Sequence, residues 1–322
     1  MVLRSLCVVV LVALGIPALT WAQTYPAKPV RIMVGFAAGG GIDITSRLYA
    51  LRLTEALGQS FVVDNRPGAA GSIATDLVAK APPDGYTLIM VSVTHAINPS
   101  LYANLPYDTV KSFAPVSPVA RMADVVAVHP SVPVKDLRTL LDLAKRRPGD
   151  VIYAHAGAGT LMHVGMELML TAAGVKMLGV PYKGSAPSTA AVVGGEVPVL
   201  STSLPPSLPH ARAGRLRILA VTTAERTPLA PEYPTVAEAA GLKGYEAVVW
   251  VGLLAPAGTP AAVIDRLNAA IGQLQQKEET RAALARQSTD PFHASPAGFA
   301  ELLREDVAKY GRIARDIGLK AQ

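Results

Sequence analysis

The residues best placed to do chemistry cluster in four short corners, each following an apolar run and preceding a helix-like segment. The first, "FAAGGGID" (Phe36 to Asp43), sets Gly39, Gly40 and Gly41 side by side. No Lys-Ser/Thr follows, as a phosphate-binding loop requires, and contiguous glycines do not match the G-x-G-x-x-G spacing of a dinucleotide fingerprint. What remains is a row of unhindered backbone N–H groups at a helix start, suited to an anion smaller than a nucleotide. A tight strand-to-helix turn is the other reading. Asp43 reads as a helix-capping or first-turn carboxylate. A Gly40→Val change is expected to lower affinity by adding bulk and by disfavouring a positive φ.

The second corner, "SVTHAINPS" (Ser92 to Ser100), offers the Thr94 hydroxyl and the His95 imidazole at a strand end, or is a capped turn into Asn98-Pro99. The third, "AHAGAGTLMH" (Ala154 to His163), begins like a dinucleotide fingerprint at Gly157-Ala158-Gly159, but Met162 occupies the place of its third glycine. Thr160 caps the helix that follows or binds a ligand, and His163 reads as packed in preference to ligating. The fourth, "PYKGSAPS" (Pro181 to Ser188), presents Tyr182 and Lys183 to a charged substrate, with a surface cation as the alternative for Lys183.

Catalytic signatures are thin. There is no G-x-S-x-G elbow and no H-E-x-x-H, and the six histidines (His95, His129, His155, His163, His210, His293) are scattered. Nothing local asks for a catalytic constellation, a metal or a cofactor. The expectation is a protein that is not an enzyme.

These corners need elements to hold them. From Pro29 the chain repeats an apolar run, a glycine-rich or polar turn and a helix-like segment: "PVRIMVGF", a helix ending near Gly58, "SFVVDNRP", "GSIATDLVAK" and "YTLIMVS". That is the grammar of a parallel sheet with helices on its faces. A second set begins at "DVVAVHP" (Asp124 to Pro130). It continues with a helix around Leu137 to Arg146, "VIYAHA", a helix from about Thr160 to Ala173, "KMLGVPY", a helix from Ser185 to Val193, "VPVLSTS", a short helix near His210 and "RLRILAVTT". A third apolar run, "AVVWVGLLAP" (Ala247 to Pro256), precedes helices at Pro260 to Gln275 and Pro296 to Ile317. The pattern predicts two lobes, residues 23–123 plus 247–322 and residues 124–246, joined by hinge strands near Ala123 and Glu246. Ligands of open α/β sheets sit at the carboxyl ends of strands, where the four corners lie.

The chain has 322 residues, of which 50% are hydrophobic and 17% charged. Its N-terminus carries Arg4, an uncharged run from Leu6 to Leu19, and small residues at Thr20 and Ala22. That is the layout of a signal peptide spanning residues 1–22 and cleaved after Ala22, with an apolar run short of the ~20 residues of a membrane span. The only cysteine, Cys7, would leave with it. A thiol-free mature chain excludes disulfides and cysteine nucleophiles and suits an oxidising compartment. The formal charge falls from +6 to +5 without Arg4. The basic stretches "KRR" (Lys145 to Arg147) and "RAGRLR" (Arg212 to Arg217) lack interleaved aromatics, which argues against nucleic-acid binding.

Six motifs stand in a fixed order: "GFAAGGGID", "THAINPSLY", "YAHAGAGT...H...E", "VPYKGSAP", "PTVAEAAGLKGYEA" (Pro234 to Ala247) and "GLLAPAGTP" (Gly252 to Pro260). Together they resemble the extracytoplasmic solute receptors of tripartite tricarboxylate transporters, the Bug or TctC-like family, over the whole mature chain. The resemblance implies an α/β, two-lobed periplasmic-binding-protein fold of type II-like form, each lobe a mostly parallel sheet flanked by helices. It also implies a periplasmic monomer, without cofactor, that closes over a small organic carboxylate and presents it to the membrane components of a transporter. Carried onto this chain, the ligand contacts would be Phe36, Ala37, Ala38, Gly39, Gly40, Gly41, Asp43, Thr94, His95, Gly157, Gly159, Thr160, Tyr182 and Lys183. Many members have Asn where this chain has Ala158, small polar residues at Leu161 and Met162, and Asp-Asn at Thr202-Ser203. Loss of that acidic residue argues against a ligand with an amino group. Leu161 and Met162 line a more apolar pocket or belong to the helix core. An exported hydrolase or transferase, and a receptor that signals through a sensor, are the competing readings.

Overall fold

Every residue of the first strand except Arg31 is buried, the pattern of a strand covered on both faces. The computed structural model describes residues 25–318. The predicted leader and its cleavage point lie outside the described residues. The chain runs β1 (Val30–Val34), α1 (Gly41–Leu57), β2 (Phe61–Asn65), α2 (Ser72–Ala79), β3 (Thr87–Ser92), α3 (Thr94–Ile97) and β4 (Phe113–Val128). It continues through α4 (Leu137–Arg146), β5 (Ile152–His155), α5 (Leu161–Ala173), β6 (Leu178–Pro181), α6 (Ser185–Val193), β7 (Val199–Ser203), α7 (Leu204–Arg212), β8 (Arg217–Val221) and α8 (Val236–Ala240). The last part is β9 (Val248–Pro256), α9 (Ala261–Gln276), α10 (Glu278–Arg286), β10 (Asp290–Pro291) and α11 (Pro296–Asp316).

The strand order β2-β1-β3-β9-β4-β7-β5-β6 divides into two halves that share β4. β1 pairs in parallel with β2 and β3, and β5 in parallel with β6 and β7, so each half has the expected parallel core. The long strands that connect the halves run antiparallel to their neighbours: β9 to β3 and β4, and β4 to β7 and β8. Phe113 to Ala123 of β4 pair with β9, and Asp124 to Val128 pair with β7. One strand thus passes from one half into the other. It is longer than the segment expected to begin at Asp124, because Pro115 and Pro118 interrupt the strand pattern in the sequence. Both prolines sit at register shifts, where a missing N–H is tolerated.

Helix ends follow local chemistry. Gly58 and Gly174 close α1 and α5 in the left-handed conformation, at φ 72° and 65°. Asp136 and Thr139 form a capping box on α4, and Thr235 and Glu238 another on α8. α11 turns Phe299, Leu303, Asp306, Tyr310 and Ala314 inward at helical spacing. There Trp250 of β9 donates to Asp306 Oδ2 at 2.6 Å. One continuous core covers most of the molecule, and the α6 and α7 face of the second half has its own cluster around Val125, Val192, Leu204 and Leu208. Among the described residues no helix is long and apolar enough to cross a membrane.

Candidate functional site

Two uncapped helix N-termini meet between the halves. α1 begins after Gly40 and α6 after Gly184, and neither N-cap position supplies a side chain to cap the first-turn N–H groups. A β-carbon placed on Gly40 would lie 3.7 Å from the Ser185 backbone nitrogen, and one on Gly39 3.5 Å from Ala186 Cβ. The halves touch directly, since Ala37 N–H donates to the Lys183 carbonyl at 3.0 Å. Ser203, at the end of β7, donates its hydroxyl to Ser185 Oγ at 3.2 Å. A helix N-terminus carries about half a positive charge. Two of them facing each other define a place where a negative group is stabilised and a positive one is not.

Glycine is required here for two different reasons. Gly39 has a φ of +81°, whereas Gly40 has −79°, an ordinary value. The positive φ expected at Gly40 therefore falls one residue earlier. Gly41 is constrained by space: an added β-carbon would meet Met122 Sδ and Ser203 Oγ, both at 2.8 Å.

Two cavities adjoin this meeting point, and Phe36 and Ala156 line both. The inner one is walled by Gly40, Gly41, Thr94, Thr160, Met162 and Ser185, among others. The outer one, of about 240 Å³, is walled by Ala69, Ala70, Tyr102, Gly157, Tyr182 and Lys183. Of the sequence-derived candidates, Phe36, Gly40, Gly41, Thr94 and Thr160 therefore come together inside. Gly157, Tyr182 and Lys183 gather at the outer end. Ala38 and Gly39 do not line these cavities, and the Ala37 N–H is already bonded. Lys183 is exposed, and Met162 faces the inner cavity while Leu161 is buried in the core.

Asp43 and His95 face away from both cavities. The Asp43 carboxylate accepts from Gly39 N–H at 2.9 Å, Asn65 Nδ2 at 2.9 Å and Arg47 Nε at 3.0 Å, so it shapes the glycine corner from behind. His95 is buried, its Nε2 lies 2.9 Å from the Thr109 carbonyl, and it packs between Tyr107 and Phe113. Burial lowers it to about 4, so it is neutral. It lines a third, small pocket together with Phe36, Ser92 and Thr94, which also wall the inner cavity.

The third corner is held by two histidines. Gly157 N–H donates to His155 Nδ1 and Gly159 N–H to His163 Nδ1, each at 3.3 Å, and the two rings stack with centroids 4.6 Å apart. Burial, and secondarily the neighbouring His163, lowers His155 to about 3; burial lowers His163 to about 4. Both are therefore neutral acceptors at physiological pH. Thr160 donates its hydroxyl to Gly157 O at 2.7 Å and caps α5 by accepting from His163 N–H. Gly159 also requires a positive φ, +83°.

One corner escaped the sequence reading. Gly68, Ala69 and Ala70 line the outer cavity, with Ala69 and Ala70 in the left-handed region at φ 45° and 49°. Asn98 Nδ2 donates to Ala70 O at 3.3 Å. Its signal was the "NRPGAAGS" turn between a strand and a helix, the same grammar as the other corners, but without contiguous glycines. Among the described residues no His, Cys, Asp and Glu group could hold a metal ion.

Residues 45–319 match the model of the tripartite tricarboxylate transporter family receptor. Protein BugT of Bordetella pertussis is 35% identical over 308 residues, which cover 95% of this chain and 94% of the relative. A solved periplasmic transporter is 38% identical, with a TM-score of 0.88 over 92% of this chain and 99% of that one. The structure of R. palustris Rpa4515 with adipate is 36% identical, with a TM-score of 0.90 over 92% of this chain and 100% of that one.

Proposed function

This chain belongs to the tripartite tricarboxylate transporter receptor family, and on that premise we propose that it is a periplasmic solute receptor, not a catalyst, that captures a small organic carboxylate between its lobes. The observation that carries the reading is the meeting of the uncapped N-termini of α1 and α6 from opposite halves, with Ser185 and Ser203 beside them. A hydrogen bond to a charged group is worth ~1.5–3 kcal/mol net. Three or four such bonds, less the association and closure terms, reach the ~8 kcal/mol of a micromolar complex. No titrating side chain is needed.

The inner cavity, with Gly40, Gly41, Thr94, Thr160 and Ser185, holds the carboxylate in this reading, and Tyr182 and Lys183 meet the outer end of the ligand. The lobes are residues 23–123 plus 247–322 and residues 124–246. The receptor acts as a monomer and hands its ligand to the membrane components of a tripartite transporter. A linear dicarboxylate such as adipate is the first compound to test, because a relative at 36% identity holds it. The mature protein should rise in melting temperature with adipate or another member of a mono- to tricarboxylate series, as a ligand binding only the native state requires. A series that produces neither a thermal shift nor heat of binding would overturn the proposal.

A further inference from the structure

Asp124 is the least expected residue in the fold. It stands on β4 where that strand leaves β9 and begins to pair with β7. Its side chain is 1% exposed, and neither carboxyl oxygen has a hydrogen-bond partner. Its backbone is pinned to the second crossing through Thr222. Asp124 N–H donates to Thr222 Oγ1 at 3.0 Å, Thr222 Oγ1 donates to Ala247 O at 2.6 Å, and Ala247 N–H donates to Thr222 O at 2.8 Å. The carboxyl is therefore fixed at the junction of the two connecting strands.

The groups around it come from both halves. From the second half comes Tyr245, whose hydroxyl donates to Gly165 O of α5 at 2.9 Å. From the first half comes Tyr310 of α11, with Asp306 one turn earlier and Glu246 nearby. Ser203 of β7 lies opposite in register, with its hydroxyl bonded to Ser185. Burial, with Asp124 as a further cause, raises the Tyr245 hydroxyl; burial, then Asp306, then Asp124 and Glu246 raise that of Tyr310. The ionisable neighbours are thus phenols and carboxyls; the cations behind them, Lys309 over the Tyr310 ring at 5.3 Å and Arg121 beside Asp306, do not pair with the Asp124 oxygens. An unpaired buried carboxylate is costly to ionise, so burial holds the Asp124 proton well above the usual carboxylate range.

The two tyrosines belong to different lobes. Tyr310 rides on the half that carries β1 to β3, while Tyr245 is bonded to α5 of the other half. In this structure the lobes touch over the cleft through Ala37 and Lys183. A rotation that parted them about the crossing would draw the two tyrosines apart and open the carboxyl to water.

We propose that ligand capture is linked to a proton: closing the lobes takes one proton up onto Asp124, and opening them releases it. This rests on the carboxylate-receptor reading for its ligand and adds a regulation of that site. The direction follows from linkage. A hydrated Asp titrates near ~3.9, and between that pH and the raised value of the closed form the closed state binds one more proton than the open one. Affinity then falls as pH rises through this window, up to about tenfold per pH unit.

The test is titration calorimetry of the mature protein with adipate at pH 7 in phosphate and in Tris, whose protonation heats differ. Wild type should take up a proton on binding, by up to one per ligand. Asp124→Asn should take up none and bind with an affinity that no longer changes between pH 6 and 8. Binding to wild type without proton uptake overturns the proposal and leaves the receptor reading intact. If no carboxylate binds, the receptor reading fails, and small-angle scattering of the unliganded protein decides the proton: the radius of gyration should grow from pH 5 to 9 in wild type and not in Asp124→Asn. A wild-type radius that ignores pH overturns the proposal by that route.

Discussion

The corner from Phe36 to Gly41 is shaped by a carboxylate: Gly39 donates to Asp43, which is shared with Arg47 and Asn65. The corner from Gly157 to Gly159 is shaped by two imidazoles, His155 and His163, which are kept neutral by burial. Both corners aim backbone at the same cleft, and both contain a glycine at positive φ. In the first, a neighbouring cation and an amide share the acceptor's charge. In the second, the acceptors carry no charge, so they organise N–H groups without opposing an anion. The first corner is therefore sensitive chiefly to shape and the second also to pH.

The largest expected effect tests shape. Gly41→Val places a side chain where Met122 Sδ and Ser203 Oγ already stand, and these belong to the strands that bring in the other half. Affinity for the ligand should fall at least ~100-fold, or about 2.7 kcal/mol, because the lobes no longer meet. Gly40→Ala is the internal control: its β-carbon would meet Ala37 O at 3.6 Å and Ser185 at 3.7 Å, ordinary contacts. Calorimetry on both separates crowding from a general loss of glycine. Equal affinities in the two variants would mean that the first corner is not limited by space.

The next effect tests the neutral acceptors. His163→Phe keeps the stack on His155 but leaves Gly159 N–H without its acceptor, which should cost about 1–2 kcal/mol at pH 7 by denaturant unfolding. The loss should shrink in acid. His163 titrates near 6.5 when unfolded and at about 4 in the fold. Its stabilisation is thus complete above ~6.5 and is lost as pH falls towards about 4, an effect of ~3 kcal/mol at the acid limit. His95 and His155 act in the same direction. Wild-type melting temperature should fall steeply between pH 6.5 and 4, and that of His163→Phe less steeply. Parallel curves would remove His163 from the acid limb.

Much of this was legible in the sequence where the determinants are local. Leu137–Arg146 and Ser185–Val193 are helices at the limits their periodicity implied, and "VIYAHA" and "VPVLSTS" contain strands. What stayed hidden depends on distant partners. Pro115 and Pro118 masked the first half of β4, whose pairing with β9 lies more than a hundred residues away. α10 was missed because its charged "EETRAALAR" shows little apolar period. Whether Met162 faced a cavity could not be read from helix phase alone, nor could the burial of His95 against Thr109. The candidate corners were readable as strand ends, but which atoms turn into the cleft was set by the packing of the two lobes.

The corner from Gly68 to Ala70 completes the comparison, because it uses alanine where the others use glycine. Ala69 and Ala70 both sit in the left-handed region, which costs a non-glycine residue about 1–2 kcal/mol each. Asn98 donates to Ala70 O and is itself 1% exposed, so the conformation is enforced from the interior. Ala70→Gly removes the steric strain but adds flexibility to the unfolded chain, which offsets about 0.5–1 kcal/mol. The net effect should be a gain of at most ~1.5 kcal/mol. Ligand affinity should stay level or fall slightly, since the loop that lines the outer cavity becomes freer. Unfolding and calorimetry on the same preparation read both quantities. A variant less stable than wild type would show that the Ala70 methyl contributes packing that outweighs its strain.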